Sequence, residues 1–169
     1  MSVAALVPLL DAVEDVISDG AGVARTIATG HRFRRGPYPG QTKSEQGTEA
    51  AVQKGAYASI VGARPMAGPE MHSVLMYTLT VRLDLFYHLP APRLHDDFRD
   101  ALAEAAGDMH RLRMALGYPS NLLTNAAGEA TGLSGGALQF ESWSMSDPDP
   151  EARLLRASMR LIGRVNMTA

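Results

Sequence analysis

Two long stretches of the chain alternate strictly between apolar and polar residues, one over residues 73–89 and the other over residues 154–168. A period of two places successive side chains on opposite faces of a β-strand, so each stretch predicts a strand with one face on a core. At roughly 3.3 Å per residue the later strand would be about 45 Å long, far beyond the usual ~17–20 Å. Its core face comprises Leu155, Ala157, Met159, Leu161, Val165 and Met167. Its opposite face comprises Arg156, Ser158, Arg160, Arg164, Asn166 and Thr168, with Ile162 as one apolar exception. So long a strand with a cationic outer face suggests a sheet that serves assembly as well as a core.

The earlier stretch has an uninterrupted apolar face, made of Leu75, Tyr77, Leu79, Val81, Leu83, Leu85, Tyr87 and Leu89. The opposite face comprises Met76, Thr78, Thr80, Arg82, Asp84 and His88. Pro90 and Pro92 would end this strand, because proline cannot donate a ladder hydrogen bond. Weaker patterns predict shorter strands over residues 23–33, 57–61 and 138–145, and turns at residues 64–69 and 147–150.

Two other segments repeat apolar residues every three or four positions, which is the period of an amphipathic α-helix. The first covers residues 3–18, where Pro8 favours a later start. The second has an apolar stripe of Phe98, Leu102, Ala105, Met109, Leu112 and Leu116. Its polar face comprises Asp97, Arg99, Asp100, Glu104, Asp108, Arg111 and Arg113. Asp96 or Asp97 would cap this helix, and Gly117 would end it. Residues 121–136, rich in small side chains, would connect this helix to the next strand, and the glycine-rich part 132–136 would be flexible.

This order of elements predicts one α+β domain over residues 1–169, with a largely antiparallel sheet, long amphipathic strands and two helices packed on one face. The polar segment 34–54 is long for an ordered loop. It is either an ordinary mobile surface loop or an extended arm that becomes ordered on assembly. In the second case Arg34, Arg35, Tyr38, Lys43 and Lys54 are its candidate contact residues.

Composition narrows the class of protein further. The chain has 169 residues, a formal net charge of −2 and no cysteine. The near-balanced charge favours neither nucleic acid nor a membrane as a bulk partner, and the lack of cysteine excludes disulfides and thiolate metal sites. Acidic residues interrupt the apolar N-terminal stretch, and no apolar run reaches the ~18 residues of a membrane span. We therefore expect a soluble protein made in the cytoplasm, with no membrane partner.

Candidate catalytic patterns all have simpler structural explanations. His31, His72, His88, His95 and His110 show no metal-ligand spacing, although His88 and His95 could approach Asp96 or Asp97 across the proline turn. Asp96, Asp97 and Asp100 suit the positive end of a helix dipole. The glycine-rich segment 132–136 lacks the lysine and the helix of a phosphate loop. The sequence therefore predicts no catalytic residue, no cofactor and no metal site, and the chain is not expected to be an enzyme.

Arginines form two distinctive groups. Arg32, Arg34 and Arg35 flank Phe33, a pattern that can bind phosphate groups. Arg156, Arg160 and Arg164 share one face of the last strand, because residues four apart on a strand point the same way. Together with Arg82, they could pair with carboxylates of a neighbouring subunit, line a channel that DNA traverses, or lie solvated.

The arrangement resembles the tail-terminator, or tail-completion, proteins of long-tailed bacteriophages. The resemblance rests on the N-terminal helix followed by a polar segment, and on the long strand SVLMYTLTVRLDLFYHL leading into the helix HDDFRDALAEAAGDMHRLRMAL. It closes on the hairpin LQFESWSMSDPDPEARLLRASMRLIGRV, in which an acidic turn precedes the arginine-bearing strand. These pieces span most of the chain, and residues 34–54 match least.

The resemblance implies a structural virion protein that is assembled in the host cytoplasm. Such proteins form a hexameric ring on the last ring of tail-tube subunits, stop tube growth and contact the neck of the head, and DNA passes through the lumen. The implied partners are further copies of the chain, the tail-tube protein and a head-completion or neck protein. Arg82, Arg156, Arg160 and Arg164 would then lie at interfaces or at the lumen. The alternatives are a head-completion or adaptor protein of the neck and, in another class, a small bacterial α+β enzyme or ligand-binding domain.

Overall fold

A computed structural model describes residues 6–17, 34–35, 54–66, 74–88, 94–146 and 154–168. The helices are α1 (Val7–Ile17) and α2 (Leu94–Gly117), and a 3₁₀ turn covers Ser134–Gly136. The strands are β1 (Arg34–Arg35), β2 (Lys54–Pro65), β3 (Val74–His88), β4 (Gln139–Met145) and β5 (Leu154–Thr168). They form one sheet in the order β1-β2-β3-β5-β4, in which every pairing is antiparallel except that of β1 with β2. The predicted α+β class with a largely antiparallel sheet is confirmed.

The two long strands form the centre of the sheet. β3 and β5 pair along their whole lengths, from Val74 opposite Thr168 to His88 opposite Leu154. On one face of this pair Leu79, Val81, Leu83, Leu85, Tyr87, Leu155, Ala157, Met159, Leu161 and Val165 are buried. They form one core with the apolar faces of α1 and α2, so both helices cover the same side of the sheet. Strict alternation therefore identified both the strands and their buried face.

β2 is much longer than the sequence indicated. It spans twelve residues and pairs with β3 as far as Pro65 opposite Tyr77, so the strand predicted over residues 57–61 was too short. The turn predicted to begin at Arg64 is wrong for its first two residues. Alanine, glycine and serine give β2 little strand propensity of its own, and pairing with the long β3 imposes its length. A bulge between Ile60 and Gly62 adds a residue that breaks the alternation.

The helix predictions hold in outline and fail at two points. α2 begins at Leu94, so Asp96 and Asp97 lie inside its first turn and neither precedes the helix as a cap. Asp108, predicted on the polar face, is buried at 1% exposure. It lies three residues after Ala105 and four before Leu112, so helical geometry places it beside the apolar stripe.

The connection between α2 and β4 is held by specific hydrogen bonds, and these include its glycine-rich part 132–136, which was expected to be flexible. The Asn121 Nδ2 donates to the Ala115 carbonyl at 2.7 Å, close to the end of α2. The Ala126 N–H donates to the Asp15 carboxylate of α1 at 2.8 Å. The buried Thr131 hydroxyl donates to the Leu122 carbonyl, and the Asn166 N–H of β5 donates to the Gly132 carbonyl at 2.9 Å. The segment therefore joins both helices to the last strand.

Gly132→Ala is expected to destabilise the protein by about 1–3 kcal/mol. Gly132 has a φ of +70°, a backbone conformation that residues with a Cβ rarely adopt. A Cβ at this position would also lie 2.9 Å from the Asn166 carbonyl oxygen. Chemical denaturation measures the loss. Gly128→Ala is the matched control, because Gly128 also has a positive φ of +80° but its Cβ would meet nothing within 4 Å. Equal effects of the two changes would show that the close approach to β5 contributes nothing.

Candidate functional site

The sheet face opposite the helices carries the charged residues that the sequence singled out. We call it the arginine face, comprising Arg64, Arg82, Arg156, Arg160 and Arg164. Register fixes these positions, because Arg82 lies directly opposite Arg160 while Thr78 lies between Arg64 on one side and Arg164 on the other. Arg156, Arg160 and Arg164 share one face of β5, as their spacing predicted, and Arg82 of β3 lies on the same face. The carboxylate of Asp84, on β3, lies on the same face.

Asp84 organises the centre of the arginine face. It is only 2% exposed. The Arg156 Nη2 lies 3.0 Å from its Oδ2, and the Arg156 Nε donates to its Oδ1 at 3.3 Å. The Ser158 hydroxyl, directly opposite on β5, donates to the same oxygen. A buried carboxylate requires such partners, since an uncompensated charge away from water is costly.

The arginines divide into those that hold Asp84 and those that remain available. Arg156 pairs with Asp84 and also stacks over the Phe86 ring, with its guanidinium carbon 5.9 Å from the ring centroid. The Arg82 Nε is 3.0 Å from the Asp84 Oδ2, but the two atoms lack the alignment of a hydrogen bond. Arg160 and Arg164 are exposed, and neither forms an ion pair with another described residue. These two side chains can therefore meet a partner without breaking an internal contact.

A cleft of about 350 Å³ opens at one end of the arginine face. It lies between Met66, Thr78 and Ile162, with Arg164 as the one charged residue of its lining. Its polar lining groups are the hydroxyls of Thr78 and Ser134, the amide of Gln139 and the guanidinium of Arg164. The cleft extends the polar surface around Arg164.

The structure places the other predicted site residues at one edge of the sheet or outside the described residues. Arg34 and Arg35 form β1, beside Gly55 and Ala56 of β2, and Lys54 begins β2. Tyr38 and Lys43 lie outside the described residues, as do the strand predicted over residues 23–33 and the turn predicted at residues 147–150.

Sequence reasoning missed Arg64 and Tyr57 on the arginine face. Tyr57 lies opposite Asp84 on β2 and is 49% exposed. Neither follows from simple alternation, because the bulge at residue 61 shifts the register of Arg64 relative to Tyr57. The proline after Arg64 also favoured a turn over a strand.

Within the described ranges, no group of three or more histidine, aspartate or glutamate side chains is placed to hold a metal ion. His110 is exposed on α2, whereas the side chains of His88 and His95, with the aspartates beside His95, lie outside the described part. No helix in the described part of the chain is long and apolar enough to cross a membrane.

A buried polar pair lies on the helix side of the sheet. The Tyr87 hydroxyl donates to the Asp108 Oδ2 at 3.2 Å, and the Arg111 Nη1 donates to its Oδ1 at 3.1 Å. Burial raises the pKa of the Tyr87 hydroxyl far above its ordinary value of 10.0, and the neighbouring Asp108 carboxylate raises it further. The hydroxyl therefore stays protonated and keeps donating, which is a structural role between β3 and α2.

Comparison with known proteins gives a match of fold. No family model matches the chain, and no curated protein matches it in sequence. One chain of the solved structure "Virion of native gene transfer agent (GTA) particle" has a similar fold, with a TM-score of 0.51 at 18% sequence identity. The alignment covers 98% of this chain and 100% of that chain. The two chains therefore share a fold.

Proposed function

We propose that the protein is a structural virion protein that forms a ring at the head-proximal end of a phage-like tail tube. In this role it ends tube growth and joins the tail to the neck or head. The observation that carries the proposal is the end-to-end fold similarity to a chain of a gene transfer agent virion. The order of elements in the sequence, which resembles tail-terminator proteins, supports the more specific role at the tube end.

The two sides of the sheet support a role in assembly. Helices and a continuous apolar core occupy one side, so that side maintains the fold. The other side presents the exposed side chains of Arg160 and Arg164, near the Asp84 carboxylate that Arg156 already pairs with. A surface of exposed guanidinium groups suits carboxylates or phosphates presented by a partner. In a ring, every copy would present this surface in the same orientation.

Arg160 and Arg164 are the proposed contact residues of this surface, together with Arg82, which lies directly opposite Arg160. Arg156 has a mainly internal role, since its guanidinium group is engaged with Asp84 and Phe86. The orientation of the sheet in the ring decides whether this surface faces a neighbouring subunit or the DNA in the lumen. Both placements use the same two exposed side chains.

The length of tail tubes assembled with and without the chain tests the proposal. Tube protein polymerised alone should give a broad distribution of lengths. Adding the chain during growth should stop elongation, and electron micrographs should show extra density at one tube end. The Arg99→Glu variant, altered on the exposed part of α2 on the other side of the sheet, should behave as the wild type. Unchanged elongation with bare tube ends would contradict the proposal.

A further inference from the structure

We propose that copies of this chain associate head to tail by pairing the β4 edge of one copy with the β2 edge of the next. The strand order places β4 at one edge of the sheet. At the other edge, β1 covers β2 only at Gly55 and Ala56. Among the described strands, β4 and residues 57–65 of β2 therefore each have a partner on one side only. Open edges of this kind present unpaired N–H and C=O groups that another chain can use.

The directions of the strands fit this pairing. Three successive antiparallel pairings, β2 with β3, β3 with β5 and β5 with β4, make β4 run opposite to β2. If the sheet of the next copy continues with the same face forward and the same strand direction, its β2 lies antiparallel to β4. The sheet formed by β2, β3, β5 and β4 can thus continue from copy to copy in the antiparallel pattern used inside each copy.

The charges of the two edges are opposite. β1 and β2 contain Arg34, Arg35, Lys54 and Arg64 and no carboxylate. The one charged residue of β4 is Glu141, and the connection after it contains Asp147, Asp149 and Glu151 against one cation, Arg153. Pairing two β4 edges would bring carboxylates together, and pairing two β2 edges would bring cations together. Pairing of unlike edges joins opposite charges, so a second copy in head-to-tail orientation is the matching occupant.

Antiparallel pairing also matches the charges along the edges. It places the start of β4, with Glu141, towards the end of β2 that carries Arg64. The end of β4, followed in sequence by the acidic connection, then lies towards Lys54 and the β1 pair Arg34–Arg35. Parallel pairing would reverse this correspondence. A head-to-tail contact closes into a ring when the rotation between copies permits it, and that consequence rests on the proposed function.

The backbone of β4 identifies a residue with which to test the contact. The Ser146 N–H donates to the Arg156 carbonyl at 2.9 Å, so Ser146 faces β5. Alternation along an antiparallel strand then directs the backbone N–H of Trp143 towards the open edge. The Trp143 side chain is 47% exposed and lies opposite Met159. Proline at this position removes an N–H that β5 does not use, and proline is tolerated on such edges.

Trp143→Pro should weaken self-association by at least roughly tenfold relative to Trp143→Ala, which removes the same side chain but keeps the N–H. Sedimentation velocity over a concentration series measures this, and thermal unfolding checks that both variants fold. Equal association of the two folded variants would overturn the inference. A wild-type chain that stays monomeric up to its solubility limit, or forms only two-fold dimers through β4, would also overturn it.

If the proline variant fails to fold, exchanging the charges of the two edges tests their pairing independently. Glu141→Arg and Arg64→Glu should each weaken association roughly two- to five-fold, and the two changes combined should restore it. A double variant that associates no better than either single variant would overturn the inference. A closed ring that ignores tail tubes would leave the edge contact standing while the proposed function fails. If the Trp143→Pro variant still forms rings that cap tubes, the edge contact fails and the proposed function stands.

Discussion

Replacing Asp108 by alanine is expected to lower the free energy of unfolding by about 3 kcal/mol. The carboxylate is 1% exposed and accepts hydrogen bonds from the Tyr87 hydroxyl of β3 and the Arg111 guanidinium of α2. Its removal leaves the buried tyrosine hydroxyl without this acceptor and opens a small cavity between the sheet and the helix. Urea denaturation followed by circular dichroism measures the change.

A double-mutant cycle separates the contribution of the hydrogen bond between Tyr87 and Asp108 from the cost of the cavity. Tyr87→Phe alone should cost about 1–3 kcal/mol, because it leaves a buried carboxylate with one donor fewer. The double variant Tyr87→Phe with Asp108→Ala should lose less than the sum of the two single changes, since neither partner is then left unsatisfied. Arg99→Ala, at an exposed position of α2, is the control, and its loss should stay below about 0.5 kcal/mol. Strict additivity in the cycle would mean that the hydrogen bond between Tyr87 and Asp108 contributes nothing.

The raised pKa of Tyr87 sets the sign of the pH dependence. The folded-state pKa lies above the unfolded value, through burial first and the Asp108 charge second. The stabilising contribution is therefore complete below about pH 10 and decreases as the pH rises above that value, where the unfolded chain releases the proton and the folded chain retains it. Tyr87→Phe should remove this part of the alkaline loss of stability.

Single charge reversals on the arginine face are expected to abolish tail joining while leaving the fold intact. Arg160→Glu and Arg164→Glu each change the face by two charge units at an exposed side chain, so stability should change by less than about 0.5 kcal/mol. Because every copy in a ring carries the change, the effect repeats at each contact, and the yield of tail-joined particles should fall at least roughly tenfold. Electron microscopy counts joined and unjoined tails.

Arg99→Glu is the matched control, since it makes the same change of charge at an exposed position of α2 on the opposite side of the sheet. It should join tails as well as the wild type. If Arg160→Glu and Arg164→Glu also join tails normally, the arginine face is a solvated surface and the assembly role assigned to these residues is wrong.

The predictable parts of the fold are those in which the period of apolar residues determines both the type of secondary structure and the face that is buried. β5 was predicted over its full extent, Leu154–Thr168, and β3 to within one residue at each end, because alternation over fifteen residues leaves no other register. Alternation also placed Arg156, Arg160 and Arg164 on one face of β5. Helical spacing likewise predicted the stripe of α2, in which Ala105, Met109, Leu112 and Leu116 are buried.

The failures occur where tertiary contacts override the local pattern. The small residues of β2 carry no strong strand signal, and only the length of β3 makes that strand twelve residues long. Asp108 looks like a solvated charge until Tyr87 of a distant strand is placed against it. The connection over residues 121–136 gains its order from Asp15 and Asn166, which are remote in sequence. The helix and strand propensities of the local sequence carry no information about such distant partners.

Electron microscopy of the purified chain mixed with tail tubes, with the symmetry of the complex at the tube ends determined, is the direct test of the proposed ring. We expect a six-fold ring on one end of each tube, at the end that joins the head. A twelve-fold ring, attachment to the portal in place of the tube, or small particles that ignore the tubes would each contradict it.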